Sequence, residues 1–469
     1  MTKNIAPSSS YLTGFENWLD SFLNFEKLPQ KNMFWLDTME YFAKLAGNPE
    51  LSYPTFHVAG SKGKGSTSAF IASILEEAGL KTGLYSSPHI VNFLERITQN
   101  QNFLTQKNYE DAAEELKRLI NCTDSKMFLK DRPITWFELV TLYSFLCFRK
   151  AKFDAAVFEV GLGGRLDATN VIKPKVCCIG PIELEHTEYL GDTLEKIAAE
   201  KGGIIKEKTP VFIAPQIPSV KEVFKSIAFQ KDAKIFFIDE ICKISTQIYT
   251  SSEKIKTKAV ISSSFFSHPL TAELNLAGEF QAQNAALAAL AVKTAFPEIS
   301  EDIIEKGLSK TSLPARFELI KNPQNFSGIP YLVLDGAHTP KSIKLTLETI
   351  KNANIKIDAL LFACAQDKHS KEIAELFSQS KVTDSKNFQK IFLTVPGNVK
   401  KSDLSEVENS FASAGLAFDS DSDYKKQIEK VLNFCNSNKK TLLITGSFYL
   451  VAEVTKILGT RFETPQVIS

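Results

Sequence analysis

A glycine-rich segment early in the chain has the residue types of a phosphate-binding loop. Residues 57–70 read HVAGSKGKGSTSAF, with Lys64 between two glycines and two hydroxyl residues directly after them. Glycines let backbone N–H groups approach phosphate oxygens, and a lysine neutralises their charge. Only two residues separate Gly60 from Gly63, so the spacing differs from the usual Gly-x-x-x-x-Gly-Lys-Ser/Thr. The segment alone fits a nucleotide site and a flexible turn equally well.

Further ionisable side chains follow apolar segments that we interpret as strands. Glu159 ends AAVFEV, where a carboxylate could hold a Mg²⁺ that bridges nucleotide phosphates or could simply cap a loop. His186 closes KVCCIGPIELEH, and a single histidine there is a metal-ligand candidate or a structural residue. His338 lies in LDGAHTP, for which a plain turn is the alternative. Lys201 precedes two glycines at a predicted helix end, a position that by itself only favours a cation.

These positions belong to a predicted alternation of apolar strands and amphipathic helices, which is typical of parallel sheets crossed by helices. The predicted strands are TFHVAG, KTGLYSS, FDAAVFEVG and KVCCIGPIELEH, then PYLVLDGAH, IDALLFACAQD, QKIFLTVPG and KTLLITGS. The predicted helices include STSAFIASILEEAG, GDTLEKIAAEKGG with Asp192 as its cap, EFQAQNAALAALAV and SEDIIEKGLSK. Ligands bind beyond the carboxyl ends of strands in such sheets, so we expect the candidate residues to meet at that edge.

The proline-containing segment TSLPARFELI marks a predicted domain boundary at residues 311–315. The predicted fold class is α/β. We expect residues 1–313 to form a first domain with a P-loop-type parallel sheet, and residues 314–469 to form a smaller Rossmann-like α/β domain.

Composition excludes several classes of protein. The chain has 469 residues, 43% apolar and 23% charged, with a formal net charge of +1, so no field favours nucleic acid or an anionic membrane. No stretch approaches the roughly 20 apolar residues of a membrane span, and we expect a cytoplasmic protein. Seven cysteines form no Cys-x-x-Cys and are expected to be reduced thiols.

Taken together, nine motifs resemble the folylpolyglutamate synthase and dihydrofolate synthase family, within the Mur-type ATP-dependent amide ligases. The resemblance runs from about residue 57 to 455 and rests on GSKGKGST, GLYSSPHIVNFLERI, TWFEL, FEVGLGGRLDATN, ELEHTEYLGDTLEKIAAEKGGIIK, EFQAQNAALAA, PARFE, LDGAHTP and TGSFYLVAEV. Each motif is weak alone, but nine in family order are specific. The family's phosphate loop has the short Gly-x-x-Gly-Lys-Gly-Ser/Thr form, which accounts for the unusual spacing.

The resemblance implies that residues 1–313 are the ATP-binding, Mur-ligase-type central domain, which includes the pterin-substrate site, and that residues 314–469 are the C-terminal α/β ligase domain. It also implies a role for each matching residue. The implied catalytic residues are Lys64, Lys201 and His338, with Lys201 carried as a carbamate. The implied metal ligands are Ser87 and Glu159 for one Mg²⁺ and His186 for a second. The implied nucleotide contacts are Ser61, Lys62, Gly63, Lys64, Gly65, Ser66, Asn284, Arg316 and Asp335. The implied pterin-substrate site is Thr135, Trp136, Phe137, Glu138, Leu166, Asp167 and Ala168.

Some positions depart from the commonest bacterial pattern of the family. These are Lys62 for Asn, Glu185 for Asp, Phe280 for His, Ala315 for Gly and Thr339 for Asn. Lys62, Gly202 and Thr339 resemble eukaryotic-type members. The departures leave the implied metal and phosphate ligands intact.

The implied reaction moves the γ-phosphoryl group of ATP to a substrate carboxylate, and the amine of L-glutamate then attacks the acyl phosphate. The implied substrates are dihydropteroate, reduced folates or both, and the expected enzyme is a monomer. Three alternatives stay open: polyglutamylation alone, a peptidoglycan-precursor ligase, and a nucleotide-dependent switch that forms no bond. A plain kinase is disfavoured by the loop spacing.

Overall fold

A computed structural model describes residues 6–24, 35–90, 92–251, 254–366, 369–380, 388–397 and 402–458. Within these residues, no helix is both long enough and apolar enough to cross a membrane.

The first part of the chain is built on an eight-stranded sheet. Its strands are β1 (Thr55–Ala59), β2 (Thr82–Tyr85), β3 (Ile97–Gln99), β4 (Asn102–Phe103), β5 (Ala155–Glu159), β6 (Val176–Ile179), β7 (Val211–Ile213) and β8 (Ile235–Phe237). The order is β4-β3-β2-β5-β1-β6-β7-β8. Six neighbouring strands run parallel, namely β2, β5, β1, β6, β7 and β8, while β3 and β4 pair antiparallel at the edge. β1 therefore lies between β5 and β6, and all three end at the same edge of the sheet.

Helices cover both faces of this sheet because alternate strand residues are buried on opposite sides. Ala155 and Val157 of β5 pack into one hydrophobic core with the helix that follows β1 and with the Ala-rich helix that contains Ala285. Ala156 and Phe158 pack into a second hydrophobic core with helices from the N-terminal part of the chain. The helices are α1 (Ser10–Asp20), α2 (Asp37–Leu45), α3 (Lys64–Glu77), α4 (Gln106–Asn121), α5 (Thr123–Asp131), α6 (Trp136–Lys150), α7 (Thr187–Leu190), α8 (Leu194–Gly202), α9 (Pro218–Gln230), α10 (Ile238–Ile241), α11 (Glu279–Ala295) and α12 (Glu301–Lys310). Short 3-10 helices lie at Pro49–Leu51, Phe93–Arg96 and Ala168–Val171.

A three-stranded antiparallel sheet, which the sequence did not predict, lies between the two larger sheets in the chain. Its strands are β9 (Cys242–Ser251), β10 (Lys254–Ser263) and β11 (Leu270–Leu274), in the order β11-β10-β9. Ile261 and Leu270 belong to the core of the first part, whereas Ile255 packs into a core of the second. The small sheet thus contacts both parts of the protein.

The second α/β unit has a six-stranded sheet. Its strands are β12 (Glu318–Lys321), β13 (Tyr331–Leu334), β14 (Ala359–Phe362), β15 (Lys390–Leu393), β16 (Asp419–Ser420) and β17 (Leu442–Thr445). The order is β12-β13-β17-β14-β15-β16, parallel except for β12. Its helices are α13 (Pro340–Asn352), α14 (Ser370–Gln379), α15 (Leu404–Ser413), α16 (Tyr424–Asn438) and α17 (Phe448–Leu458). The predicted α/β fold class is confirmed, and the boundary at residues 311–315 stays a prediction.

Two details of the predicted elements are wrong. The strand predicted to end at His186 ends at Ile179, because Gly180 and Pro181 follow and the chain leaves the sheet there. Asp192 does not cap α8. Its carboxylate pairs with Lys196 at 2.8 Å, and Thr193 accepts the capping hydrogen bond.

We expect the contact between α3 and α12 to be intolerant of added volume. A Cβ at Gly307 would lie 2.5 Å from Ile74 Cα, and the Ser73 hydroxyl donates to Gly307 O at 2.7 Å. Gly307→Ala should therefore lower the free energy of unfolding by about 1–3 kcal/mol through overpacking. Gly14→Ala in α1 is the matched control, since nothing lies within 4 Å of its added Cβ. Urea unfolding that finds the two variants equally stable would contradict this packing.

Candidate active site

The glycine-rich segment is an ordered turn between β1 and α3. Gly63 takes the left-handed conformation, with φ of 80°, and is the N-cap of α3, so the first N–H groups of that helix lie at the turn. A Cβ at Gly60 would lie 2.8 Å from Gly180 Cα, so the backbones of two loops touch here. Ser61 ties the same loops together, because its hydroxyl bonds the backbone O and N of Glu183 at 3.1 and 3.0 Å. The segment is therefore an ordered loop at a helix N-terminus and not a loose turn, and its role in binding phosphate stays a prediction.

Two lysines from different elements meet at the backbone of this loop. Lys64 Nζ donates to Gly60 O at 2.9 Å, and Lys201 Nζ, from the end of α8, donates to the same oxygen at 3.1 Å. Lys201 is 2% exposed and also pairs with Glu185 Oε1 at 2.9 Å. The structure therefore brings together the phosphate loop and the lysine that the sequence placed at a helix end.

The charges in this cluster perturb one another. Burial, the largest cause, together with the charges of Lys64 and Lys62 lowers the pKa of Lys201 to about 8, although Glu185 opposes the change. Burial would raise the pKa of Glu185, but Lys201, Lys64 and Lys62 lower it to about 2. Burial also lowers the pKa of Lys62. The cluster is a buried, predominantly cationic site beside the glycine loop.

Glu159 lies on the other side of the loop, at the end of β5. The backbone N–H of Ser87 donates to Glu159 Oε2 at 3.2 Å, and a Cβ at Gly65 would lie 3.5 Å from the same oxygen. Burial raises the pKa of Glu159, while the charges of Lys64 and Arg316 oppose that rise. A carboxylate thus faces the start of α3, as the sequence predicted.

Arg316 brings the second α/β unit to this carboxylate. The same added Cβ at Gly65 would lie 3.8 Å from Arg316 Nη2, so the guanidinium also borders the loop. Burial lowers the pKa of Arg316, whereas Glu159 and Asp335 raise it. Asp335, at the end of β13, accepts a hydrogen bond from the Thr346 hydroxyl.

Phe448 is a site residue that sequence reasoning missed. Arg316 Cζ lies 4.4 Å from its ring centroid, and the His338 ring lies 5.9 Å from it. The ring also packs on Gly336, where a Cβ would collide with it. The one available signal was its place directly after β17, at the same sheet edge as Asp335. Phe448 therefore supports both the predicted nucleotide contact Arg316 and the predicted catalytic residue His338.

The remaining nucleotide-contact candidates surround the same loop. Asn284, on α11, is buried, and its side chain fills the space where Gly63 lacks a Cβ. Its Nδ2 donates to Gln281 Oε1 at 3.0 Å. Ser66 is buried in the first turn of α3. The neighbouring Thr67, which sequence reasoning mentioned without selecting, has a buried hydroxyl with no hydrogen-bond partner among the described residues.

His186 occupies a different setting from the one predicted. It is exposed, has a φ of 48° and forms the N-cap of the short helix α7. Its neighbour Glu185, and not His186 itself, pairs with Lys201. Its predicted role as a ligand of a second metal stays a prediction.

The residues of the predicted pterin site belong to two adjoining segments. Thr135 and Glu138 cap α6 reciprocally, with Thr135 N–H donating to Glu138 Oε2 at 2.8 Å. Trp136 is buried beneath Arg96, whose Cζ lies 4.9 Å from the ring centroid. The half-buried Phe137 packs its ring on Gly161, where a Cβ would collide with it. Phe137 thus contacts the loop that leads to the second segment.

The second segment is the loop from Gly161 to Ala168. Leu166 is half-buried and Ala168 buried. Asp167 is buried and accepts hydrogen bonds from Gly161 N and Leu162 N at 3.0 and 2.9 Å through Oδ2. Its Oδ1 accepts from Thr169 N and the Thr169 hydroxyl at 3.0 and 2.5 Å. A carboxylate has about four lone-pair positions, so the loop's own groups occupy them all.

The residues fit one Mg²⁺ better than a metal centre made wholly of protein ligands. Among the described ranges, no three His, Cys, Asp or Glu side chains are grouped to hold a metal. Mg²⁺ in nucleotide sites typically takes one or two protein oxygens together with phosphate oxygens and water. Glu159 and Ser87, which are adjacent and border the glycine loop, match that donor set.

Comparison with known proteins extends over both α/β units. Residues 58–292 match the Mur ligase middle domain. The chain is 31% identical over 460 residues to the dihydrofolate synthase/folylpolyglutamate synthase of Bacillus subtilis, covering 94% of this chain and 98% of that protein. It is 28% identical over 425 residues to the folylpolyglutamate synthase of Lacticaseibacillus casei, covering 88% of this chain and 91% of that protein.

Solved structures share the fold. The folylpolyglutamate synthase of Thermotoga maritima superposes with a TM-score of 0.79 at 25% identity, covering 96% of this chain and 97% of that chain. The Mycobacterium tuberculosis folylpolyglutamate synthase complexed with ADP and AMPPCP superposes with a TM-score of 0.81 at 24% identity, covering 96% and 98%.

The capping carboxylate of α6 predicts a pH dependence of stability. Burial raises the pKa of Glu138 from 4.5 to about 6, against hydrogen bonds from Thr135. A carboxyl whose pKa is raised by folding favours the folded state below about pH 4.5 and loses that contribution as pH rises through about 6. Glu138→Gln keeps the acceptor but cannot ionise. Relative to wild type, the variant should gain about 2 kcal/mol of unfolding free energy between about pH 4 and about pH 8. A stability difference that is constant over this range, measured by urea unfolding, would rule out the raised pKa.

Proposed function

Since this chain belongs to the dihydrofolate synthase/folylpolyglutamate synthase family of Mur-type ligases, we propose that it is an ATP-dependent ligase that joins L-glutamate to folate substrates. The observation that carries the proposal is the meeting of Lys64, Glu159 and Arg316 at one glycine loop. The first two residues come from the eight-stranded sheet unit and the third from the other unit. A site shared between two units suits a reaction that must bring a second substrate to an activated first one.

The proposed reaction has two steps. A carboxylate oxygen of the folate substrate attacks the γ-phosphorus of ATP, ADP leaves, and an acyl phosphate forms. The amine of L-glutamate then attacks the acyl carbon, the new C–N bond forms, and phosphate leaves as the amine loses a proton. Both steps bring anions together, so neutralising charge is the main task of the site.

The chain's own residues can supply that neutralisation. Lys64 now donates to Gly60 O, and the first turn of α3 presents backbone N–H groups to the same space. A phosphate there would exchange the carbonyl contact of Lys64 for a stronger, charge-assisted one. Arg316 is positioned by Phe448 and Asp335 at the same loop. Glu159 and Ser87 would hold a Mg²⁺, which when bound offsets phosphate charge.

We further propose that Lys201 is carbamylated in the active enzyme. Carbamylation requires the neutral amine, which attacks CO₂ and releases a proton, and burial lowers the pKa of Lys201 to about 8. The product would be an anion beside Glu185, with which Lys201 now pairs at 2.9 Å. Two adjacent carboxylate-like groups near Lys62 and Lys64 would then form a cation site, consistent with the proposed second Mg²⁺ and with His186 one residue from Glu185.

The finer features of the enzyme are also proposals. The resemblance supports a monomer, and the balanced net charge of +1 agrees with a cytoplasmic protein that binds neither nucleic acid nor membranes. The boundary at residues 311–315 would separate the unit that holds the glycine loop from the unit that holds Arg316. His338 would act beside Arg316, since the His338 imidazole and the Arg316 guanidinium both lie against the Phe448 ring.

The substrate range separates the remaining alternatives. The Bacillus subtilis relative is named for both activities and the Lacticaseibacillus casei relative for polyglutamylation. We propose both activities here, supported by RLDA at residues 165–168 and TWFE at residues 135–138. Polyglutamylation alone is the second candidate, because Lys62, Gly202 and Thr339 resemble eukaryotic-type members.

Product mass spectrometry tests the function directly. With ATP, Mg²⁺ and L-glutamate, the protein should add glutamate to dihydropteroate and to tetrahydrofolate. Extension of tetrahydrofolate without any dihydrofolate from dihydropteroate would leave polyglutamylation alone. Ligation of a UDP-muramoyl substrate instead would favour a peptidoglycan-precursor ligase, and ATP binding without any amide product would favour a switch.

Variants connect that activity to the site. Lys64→Ala and Glu159→Ala should each lower kcat by about 10²-fold or more, since each removes a main electrostatic stabiliser. Lys351→Ala, an exposed lysine of α13, is the control and should behave as wild type. A Lys64 or Glu159 variant within about threefold of wild type would remove that residue from the mechanism.

The carbamate makes a separate prediction. Lys201→Ala should be inactive and partly rescued by a short carboxylic acid in the buffer, because the acid restores an anionic oxygen in the vacated space. Lys201→Arg keeps the positive charge but cannot form the carbamate, and it should also be inactive. Full activity of Lys201→Arg in the ligation assay would refute the carbamate.

A further inference from the structure

A buried histidine lies in the central strand of the large sheet, outside the cluster described above. His57 is completely buried in β1, between Phe158 of β5 and Cys177 of β6. Its Nε2 lies 2.8 Å from the Thr169 hydroxyl, which follows the RLDA segment. A polar ring at the centre of a parallel sheet is costly unless its hydrogen bonds are made, so this contact calls for a reason.

The protons in this contact can be assigned from its partners. The Thr169 hydroxyl donates to Asp167 Oδ1 at 2.5 Å, and a hydroxyl has one proton, so it must accept from His57. His57 Nε2 therefore carries the hydrogen, and Nδ1 has no hydrogen-bond partner within the described part of the chain. Burial lowers the pKa of His57 well below its ordinary value, which agrees with a neutral ring.

Further hydrogen bonds connect Thr169 to the loop from Gly161 to Ala168. Asp167, which accepts from Thr169, also holds Gly161 N and Leu162 N through its other oxygen. Phe137 packs its ring on Gly161. A single hydrogen-bonded chain thus runs from the centre of β1 through Thr169 and Asp167 to the loop that carries Leu166 and Ala168 of the proposed pterin site.

We propose that His57 is a positioning residue for the folate substrate, which fixes the loop from Gly161 to Ala168 through Thr169 and Asp167. The same strand leads into the glycine loop three residues later, so β1 sets the position of both substrate loops relative to each other. Correct relative placement of the carboxylate and the γ-phosphate is the requirement of the first chemical step. The expected effect on catalysis rests on the proposed ligase function, whereas the expected ordering of the loop by His57 does not.

Variants can separate positioning from simple stability. His57→Leu removes the donor and should lower kcat/KM for the folate substrate by about 10-fold or more, while KM for ATP stays within about twofold of wild type. His57→Gln offers an amide N–H in place of Nε2–H and should recover most of the loss. Thr169→Val breaks the same chain at its next member. The double variant His57→Leu/Thr169→Val should be no worse than the more impaired single variant, because both act through one chain.

Thr55→Val is the matched control. Thr55 is buried in the same strand, two residues from His57, and its hydroxyl has no partner among the described residues. The substitution keeps the side-chain volume, so it should leave both KM values unchanged. A fall in folate kcat/KM for Thr55→Val equal to that for His57→Leu would show a general effect of disturbing β1 and would overturn the proposal.

Amide hydrogen exchange tests the inference without turnover. In His57→Leu and Thr169→Val, the Gly161, Leu162 and Thr169 amides should exchange at least about 10-fold faster than in wild type, while α3 amides stay protected. If wild type ligates no folate, the proposed function fails, and this exchange pattern still decides whether His57 orders the loop. Unchanged exchange of these amides in both variants, or an unchanged folate kcat/KM in an active enzyme, would overturn the proposal. If His57→Leu does not fold, Thr169→Val carries the same comparison, with His57→Gln expected to stay close to wild type.

Discussion

The carbonyl oxygen of Gly60 accepts hydrogen bonds from two lysine ammonium groups, and the rest of the site is arranged around that contact. Two cations can share one oxygen only if a nearby anion offsets their repulsion, and Glu185 does so at 2.9 Å from Lys201. The two loops that meet beside this contact must also approach each other closely. Gly60 and Gly180 allow that approach, since a Cβ on either one would meet the backbone of the other loop.

The two α/β units depend on each other at this site. Arg316 approaches the glycine loop beside Glu159 from the second unit, its guanidinium lies against the Phe448 ring, and the charges of Glu159 and Asp335 both raise its pKa. A second link joins Lys341 Nζ, in the first turn of α13, to Glu183 Oε1 at 2.8 Å. Glu183 is the residue whose backbone Ser61 binds, so the link leads directly to the phosphate loop. Lys341 is largely exposed, and such a pair contributes only about 0–1 kcal/mol.

Local sequence patterns predicted most strands of the two large sheets, whereas contacts between distant segments could not be predicted in this way. The strands that carry Gly60, Glu159 and Asp335 were found because apolar runs with polar ends are local signals. The antiparallel strands β9 to β11 were missed for two reasons. The alternation of buried and exposed side chains in β11 covers only five residues, and most described side chains of β9 are half-buried and not buried. Phe448 and His57 were missed because an aromatic ring or a histidine in an apolar run looks like ordinary core. Only the fold shows that one meets Arg316 and the other Thr169. His186 was misplaced because the apolar letters after Pro181 continue the pattern of a strand that has already ended.

The saturation of Asp167 bears on how this fold would choose its folate substrate. The resemblance placed Asp167 in the pterin-substrate site, where a carboxylate could accept from a pterin amino group. Its oxygens, however, already accept from four donors, which belong to Gly161, Leu162 and Thr169. Two of those bonds are buried and two are partly buried, and three of the four donors are backbone N–H groups. Displacing one of these three to bind a ligand would leave a backbone N–H unpaired at a cost of roughly 1–3 kcal/mol. A pterin donor would therefore have to join the existing set without displacing any member of it. In the proposed pterin site, selectivity would then come from the shape of the apolar surfaces near Asp167, which are Leu166, Ala168 and the face of Phe137, because contacts of this kind discriminate between substrates without giving up any hydrogen bond.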